Sequence, residues 1–293
     1  MKKNTSNILT PFLRGIGQIM LQNNALTGVL FLVGIFINSP IMALGTVVGT
    51  VASTFAAKLL KYNADDILNG LYGFNGALIG ISLFVFFEPI PVIWVAIVLL
   101  SFISTFLMNQ FLKRNLPAFT FPFVLLVWIA LYLFHEVVPV DAPLDEDLEG
   151  LINDSVEFNL SGFGFGFGEV IFQGSLLSGI IFLIAVYVSK PISALYGLAG
   201  AFIATILAVL FIDKFDAVQQ GWFTFNAVLV AIAMGGDKKS DGIFVFLGVM
   251  FAVIIESFMM NKGLIFLTFP FIAGAWITIF IKTKLLGSFL KEN

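Results

Sequence analysis

Two stretches decide the reading: "LPAFTFPF" at residues 116–123 and "LIFLTFPF" at residues 264–271. Each places a Thr and a Pro inside an otherwise apolar run. The Thr hydroxyl needs a hydrogen-bond partner wherever it is buried. The Pro has no N–H to give and crowds the preceding turn of a helix, so Pro122 and Pro270 are expected to disturb the helices that carry them. Writing this awkward element twice, with Thr120 and Thr268 separated by 268 − 120 = 148 positions, points to one structural task performed by two halves of the chain.

Further blocks recur in the same order. "QIMLQNNALTG" (18–28) aligns with "EVIFQGSLLSG" (169–179), pairing Gln18 with Glu169 and Gln22 with Gln173 at a spacing of 169 − 18 = 151. "LYGFNGAL" (71–78) aligns with "WFTFNAVL" (222–229) at the same spacing, and "STFLMN" (104–109) with "ESFMMN" (256–261). Four blocks in constant order make an internal repeat. The last alignment sets Glu256 opposite Ser104.

The medium around this repeat is lipid. Of 293 residues, 59% are hydrophobic and only 11% charged, and the mean hydropathy is +1.02, against about 25% charged for a soluble domain. Apolar segments suited to a bilayer fall at 26–44, 43–60, 74–88, 90–111 and 118–134, then at 176–189, 192–213, 223–236, 242–260 and 264–281. The expected fold is an all-α polytopic membrane protein with two repeats of five transmembrane helices. Residues 1–25 read as the N-terminus with the start of the first pore helix, 26–136 as the first repeat, 137–168 as an acidic and Gly-Phe linker, and 169–293 as the second repeat. The stretch after Arg14 contains Gln18, Gln22, Asn23 and Asn24, so no cleavable signal is expected there.

Charge placement gives an orientation. With the N-terminus in the cytoplasm, Lys58, Lys61, Lys113, Arg114, Lys190, Lys238, Lys239, Lys282, Lys284 and Lys291 share one side, and Lys262 is the exception. Glu88, "HEVVPVDAPLDEDLEG" (135–150) and "DKFDA" (213–217) share the other. Both termini are therefore expected to be cytoplasmic. Five crossings is an odd number, so the second repeat enters from the opposite side and the repeats are inverted, with a path for solute at their interface. Thr120 and Thr268 would then face one another across the pseudo-two-fold axis as a narrow polar constriction.

Each candidate has a plainer reading beside it. Gln18 and Glu169 are followed three places on by Leu21 and Phe172 and four places on by a Gln, which on a helix is one face. Glu169 could be an ordinary carboxylate near a helix N-terminus, but Gln and Glu share an oxygen that accepts N–H donors. Phe74 with Leu78, and Phe225 with Leu229, form apolar i, i+4 faces that serve packing equally well. Asn75 and Asn226 read as interhelical hydrogen-bonding residues. Glu256 reads as a carboxylate reaching the interface or a hydroxyl, with proton coupling as the sharper alternative.

No Walker motif, metal-ligand cluster, nucleophile elbow or nucleic-acid patch is present, and Cys is absent. "GFGFGFG" (162–168) is not a dinucleotide fingerprint. No cofactor, metal, catalytic role or nucleic-acid partner is expected. What remains suits a small neutral solute rich in N–H donors.

The paired Thr-Pro blocks, the Gln18/Glu169 blocks and "GFNGAL" with "FTFNAVL" together resemble the urea transporter family, over nearly the whole chain. The resemblance implies a passive, channel-like facilitator for urea, with small amide analogues as further candidate solutes. It also implies a homotrimer in the bacterial inner membrane, surrounded by lipid, with one slot-shaped pore per subunit and tilted helices that reach part-way through the bilayer. By that resemblance Gln18 and Glu169 begin two ladders of acceptors. Phe74 and Leu78 wall one slot, and Phe172, Phe225 and Leu229 the other. Ile19, Val170, Thr120 and Thr268 narrow the middle. Leu21 stands where the family often has Phe, which leaves the first slot aromatic on one wall. The alternative to a channel is a proton-coupled transporter of a small amide or amine.

Overall fold

A computed structural model describes residues 9–137, 166–211 and 222–289 of the chain. The acidic part of the expected linker, most of "GFGFGFG" and the "DKFDA" segment lie outside the described residues, as do Lys2, Lys3 and Lys291. The described residues form helices and no strands. In the first half these are α1 (Leu9–Gly17), which ends in a 3₁₀ turn (Gln18–Met20), α2 (Ala25–Asn38), α3 (Pro40–Leu59), the short α4 (Ala64–Leu68), α5 (Gly73–Phe86), α6 (Pro91–Lys113) and α7 (Phe121–Val137). The second half has a helical turn at 166–169, then α8 (Leu176–Ser189), α9 (Pro191–Phe211), α10 (Phe225–Met234), α11 (Asp241–Asn261) and α12 (Phe269–Phe289).

α3, α6, α9 and α11 are long and apolar enough to cross a bilayer, and α2, α5, α7, α8 and α10 are shorter apolar helices. The pair made by Leu9–Met20 and Ala25–Asn38 bends by 72°. The chain is an integral membrane protein.

Local chemistry sets the boundaries. Asn24 accepts from Leu26 N (2.8 Å) and caps α2. α3 and α9 both open on a Pro, at 40 and 191, where the missing N–H costs nothing. The segment read as one span over 26–44 is therefore broken at Ser39, whose extended backbone separates α2 from α3.

The Thr-Pro blocks behave in the same way, contrary to expectation. Pro122 and Pro270 do not disturb helices; they occupy the second position of α7 and α12. A Pro in the first turn removes a donor that has no intrahelical partner anyway.

Close packing comes from glycine. A Cβ on Gly49 would lie 2.0 Å from Gly76 O, and one on Gly80 would lie 2.0 Å from Gly45 O. α3 and α5 therefore touch backbone to backbone, as small residues allow between helices in lipid.

The two halves meet through reciprocal contacts. Thr27 Oγ1 donates to Ala185 O (2.8 Å) while Ser178 Oγ donates to Gly34 O (3.0 Å). Trp128 Nε1 donates to Ile265 O and Trp276 Nε1 to Pro117 O, both at 2.7 Å. Phe31 and Phe182 meet edge to face at 5.2 Å. Exchanging the halves maps each contact onto its mate, which is what a two-fold relation between them produces.

The backbone also sets the register of the repeat. Leu116 N bonds Phe111 O as Leu264 N bonds Met259 O, and Val124 N bonds Thr120 O as Ile272 N bonds Thr268 O. Left-handed residues match as well, Asn115 with Gly263 and Phe119 with Leu267. All of these pairs are 148 apart, the spacing of the two threonines. Glu256 therefore corresponds to Met108 rather than Ser104. The similarity of "STFLMN" to "ESFMMN" is one helical turn out of register, a shift that keeps the same face inward and so leaves the apolar pattern intact.

Candidate functional site

In each half the first described helix stops abruptly. Leu21 N bonds Gln18 O (2.9 Å) and Gln22 N bonds Gly17 O (3.1 Å); in the second half Phe172 N bonds Glu169 O and Gln173 N bonds Gly168 O, both at 3.0 Å. Leu21 (φ 61°) and Phe172 (φ 54°) occupy the left-handed region, unfavourable for residues with a Cβ by about 1–2 kcal/mol. Gly17 and Gly168 permit the fold-back, because a Cβ there would lie 2.6 Å from Gln22 O or 2.3 Å from Gln173 O.

Gln22 Nε2 then clamps Met20 O (2.8 Å), and Gln173 Nε2 clamps Ile171 O (2.8 Å) and Phe172 O (3.0 Å). The expectation that Gln18 and Leu21, or Glu169 and Phe172, share a helix face is corrected. The left-handed residue ends the helix and turns the next side chain elsewhere.

Gln18 is nearly buried, and its Nε2 is held by Asn69 O (2.9 Å), which turns Oε1 away as the end able to accept. Glu169 is half-buried. The absence of a side chain at Gly174 leaves it room, since a Cβ there would lie 3.2 Å from Oε1. Ile19 and Val170, one place on, are fully buried.

Between the halves the two threonine hydroxyls meet at 2.7 Å, with Thr120 and Thr268 only 2% and 1% exposed. They are held there from a distance. Asn75 Oδ1 accepts from Phe123 N and Asn226 Oδ1 from Phe271 N, both at 3.1 Å. Those amides belong to the first turns of α7 and α12, where no intrahelical acceptor exists. The interhelical reading of the two asparagines holds, and it explains how a helix starts cleanly at each Thr-Pro.

The aromatic residues take distinct partners. Phe74 and Leu78 are buried on α5, as are Phe225 and Leu229 on α10. Phe172 meets Phe123 edge-on at 6.4 Å. Phe225 stacks on Phe266 at 6.1 Å and 21°. Leu21, partly buried, has no ring to offer at the place of Phe172.

Sequence reasoning passed over Phe123 and Phe266 and treated Gln22 and Gln173 only as followers of Gln18 and Glu169. The repeat alignment was the available signal for the two glutamines. Two apolar grooves, of about 340 and 380 Å³, are formed by α1, α2 and α3 and share no lining residue with this constellation.

Glu256 is completely buried and reaches neither an interface nor a hydroxyl. Neither of its carboxyl oxygens has a hydrogen-bond partner.

Residues 9–283 match the family model described as urea transporter. The chain belongs to the urea transporter family. It is similar to urea transporter 1 of Rattus norvegicus (31% identical over 240 residues, 76% of this chain and 62% of that protein). It is also similar to urea transporter 1 of Mus musculus (30% over 240 residues, 76% and 62%) and of Ovis aries (30% over 242 residues, 76% and 62%). The chain thus covers 62% of the length of these curated relatives.

Proposed function

We propose that this member of the urea transporter family conducts urea passively across the membrane, along a path between its two halves. The observation that carries the reading is the buried Thr120–Thr268 hydroxyl pair between the halves, each of which also has a helix ending just after Gln18 or Glu169. Urea is flat and uncharged, with four N–H groups and one carbonyl. Gln18 Oε1, the Glu169 carboxylate and the threonine oxygens are acceptors for N–H groups stripped of water. Each such bond nets only about 0.5–1.5 kcal/mol, strong enough to offset dehydration and weak enough for release on the far side.

Phe74 with Leu78 walls one slot. Phe172, Phe225 and Leu229 wall the other, and Ile19, Val170 and Leu21 complete the lining. These apolar walls make ions costly to admit. Each half acts as one inverted repeat, and the protein works as a homotrimer in the inner membrane with both termini in the cytoplasm. No chemical step is assigned, because the reading needs only acceptors and walls.

The deciding experiment is urea efflux from proteoliposomes, followed by light scattering beside protein-free vesicles, with and without an imposed pH gradient. Fast flux indifferent to the gradient supports the channel. Accumulation driven by the gradient supports the proton-coupled alternative, for which Glu256 is the buried carboxyl to mutate first.

A further inference from the structure

Glu256 is unused by the path just described, yet it is fully buried and both of its oxygens lack a completed hydrogen bond. The repeat puts Glu256 at the place of Met108 and Asn226 at the place of Asn75, which, as Met108 is set toward Asn75, sets the carboxyl toward the Asn226 side chain. That amide has one acceptor and two donor hydrogens. Oδ1 takes Phe271 N at 3.1 Å, and one hydrogen of Nδ2 reaches Leu267 O at 3.3 Å. Leu267 has a left-handed backbone (φ 48°) and immediately precedes Thr268. The asparagine thus holds both sides of the turn that aims the Thr268 hydroxyl.

Its second N–H hydrogen needs an acceptor, and the first half offers a side chain at the equivalent place. There the residue in register with Glu256 is Met108, and Asn75 Nδ2 reaches Met108 Sδ at 3.9 Å.

We propose that Glu256 is a positioning residue, the acceptor that fixes the Asn226 amide and through it the Thr268 side of the constriction, as Met108 does for Asn75 and Thr120. The carboxyl serves through its oxygen, so other acceptors of similar length suffice. A hydrocarbon side chain leaves the Asn226 N–H unpaired in a buried place and frees the amide to turn, which loosens the grip on Leu267 O and Phe271 N. Among the described residues no ion pair includes Glu256, so the role needs none. The inference takes its readout of flux from the proposed urea pathway.

The test compares Glu256→Leu, Glu256→Met and Glu256→Gln in the full-length protein, with Met108→Leu as the volume-conserving variant for the other half. Urea flux in proteoliposomes should fall roughly fivefold or more for Glu256→Leu and stay near wild type for Met and Gln. Hydrogen exchange of peptides spanning 264–275 should quicken in Glu256→Leu alone, and of peptides spanning 116–127 in Met108→Leu.

Packing alone would be satisfied by Leu, so a Leu variant with wild-type flux and exchange overturns the proposal. Loss of flux in Met and Gln as well as Leu also overturns it, because the carboxylate itself would then be required. If Glu256→Leu does not fold, unchanged exchange at 116–127 in Met108→Leu overturns the acceptor role. A wild type that passes no urea, with the exchange pattern intact, sinks the urea reading and leaves the positioning role standing.

Discussion

Replacing the paired threonines separates what the hydroxyls do for flux from what they do for stability. Thr120 and Thr268 are almost completely buried and bond each other at 2.7 Å. Thr120→Val or Thr268→Val removes one acceptor from the path while nearly preserving shape. If a passing amide gains a net 0.5–1.5 kcal/mol from that oxygen, losing it slows flux by about two- to thirteenfold. Losing both slows it by about five- to 160-fold.

Stability follows another order. Each single variant leaves a buried hydroxyl without its mate, at a cost of about 1–3 kcal/mol, whereas replacing both partners with apolar groups is nearly neutral. The double variant should therefore be the slowest of the three and also the most heat-resistant. Stopped-flow urea efflux and thermal melting in detergent read the two quantities on the same preparations. A double variant with wild-type flux would take the threonines off the path. One that melts below both single variants would show that the hydroxyls are not each other's main partner.

Other perturbations follow from the geometry. Glu169→Gln should retain most of the urea flux and Glu169→Leu should lose it, measured in the same proteoliposomes; equal loss in both would mean that acceptance of N–H groups is not the role of Glu169. Asn75→Ala and Asn226→Ala each strand a first-turn amide, and each should destabilise the protein by about 1–3 kcal/mol, visible as a lowered melting temperature; unchanged melting would refute the capping role. Gly28→Ala should impair folding or melting most of all, because its Cβ would lie 1.8 Å from Leu13 O where α1 crosses α2; wild-type melting would contradict that close approach.

Membrane residence, helicity and the doubling of the chain were all legible in the sequence. They rest on composition and on block similarity, which are one-dimensional properties. The pairing of Thr120 with Thr268 could be named in advance for the same reason, since a two-fold axis brings equivalent residues together wherever it passes close to them.

Three features needed the tertiary structure. Pro122 and Pro270 begin helices because Asn75 and Asn226, on other helices, satisfy the amides at 123 and 271, a contact across 48 and 45 residues that no local pattern records. The helices bearing Gln18 and Glu169 stop at Leu21 and Phe172 in a left-handed conformation that neither residue type favours. Glycine at 17 and 168 and the clamping amides of Gln22 and Gln173 hold it. The register that sets Glu256 against Met108 was hidden because a shift of one helical turn preserves the buried face. Only the backbone hydrogen bonds around the threonines distinguish the two alignments.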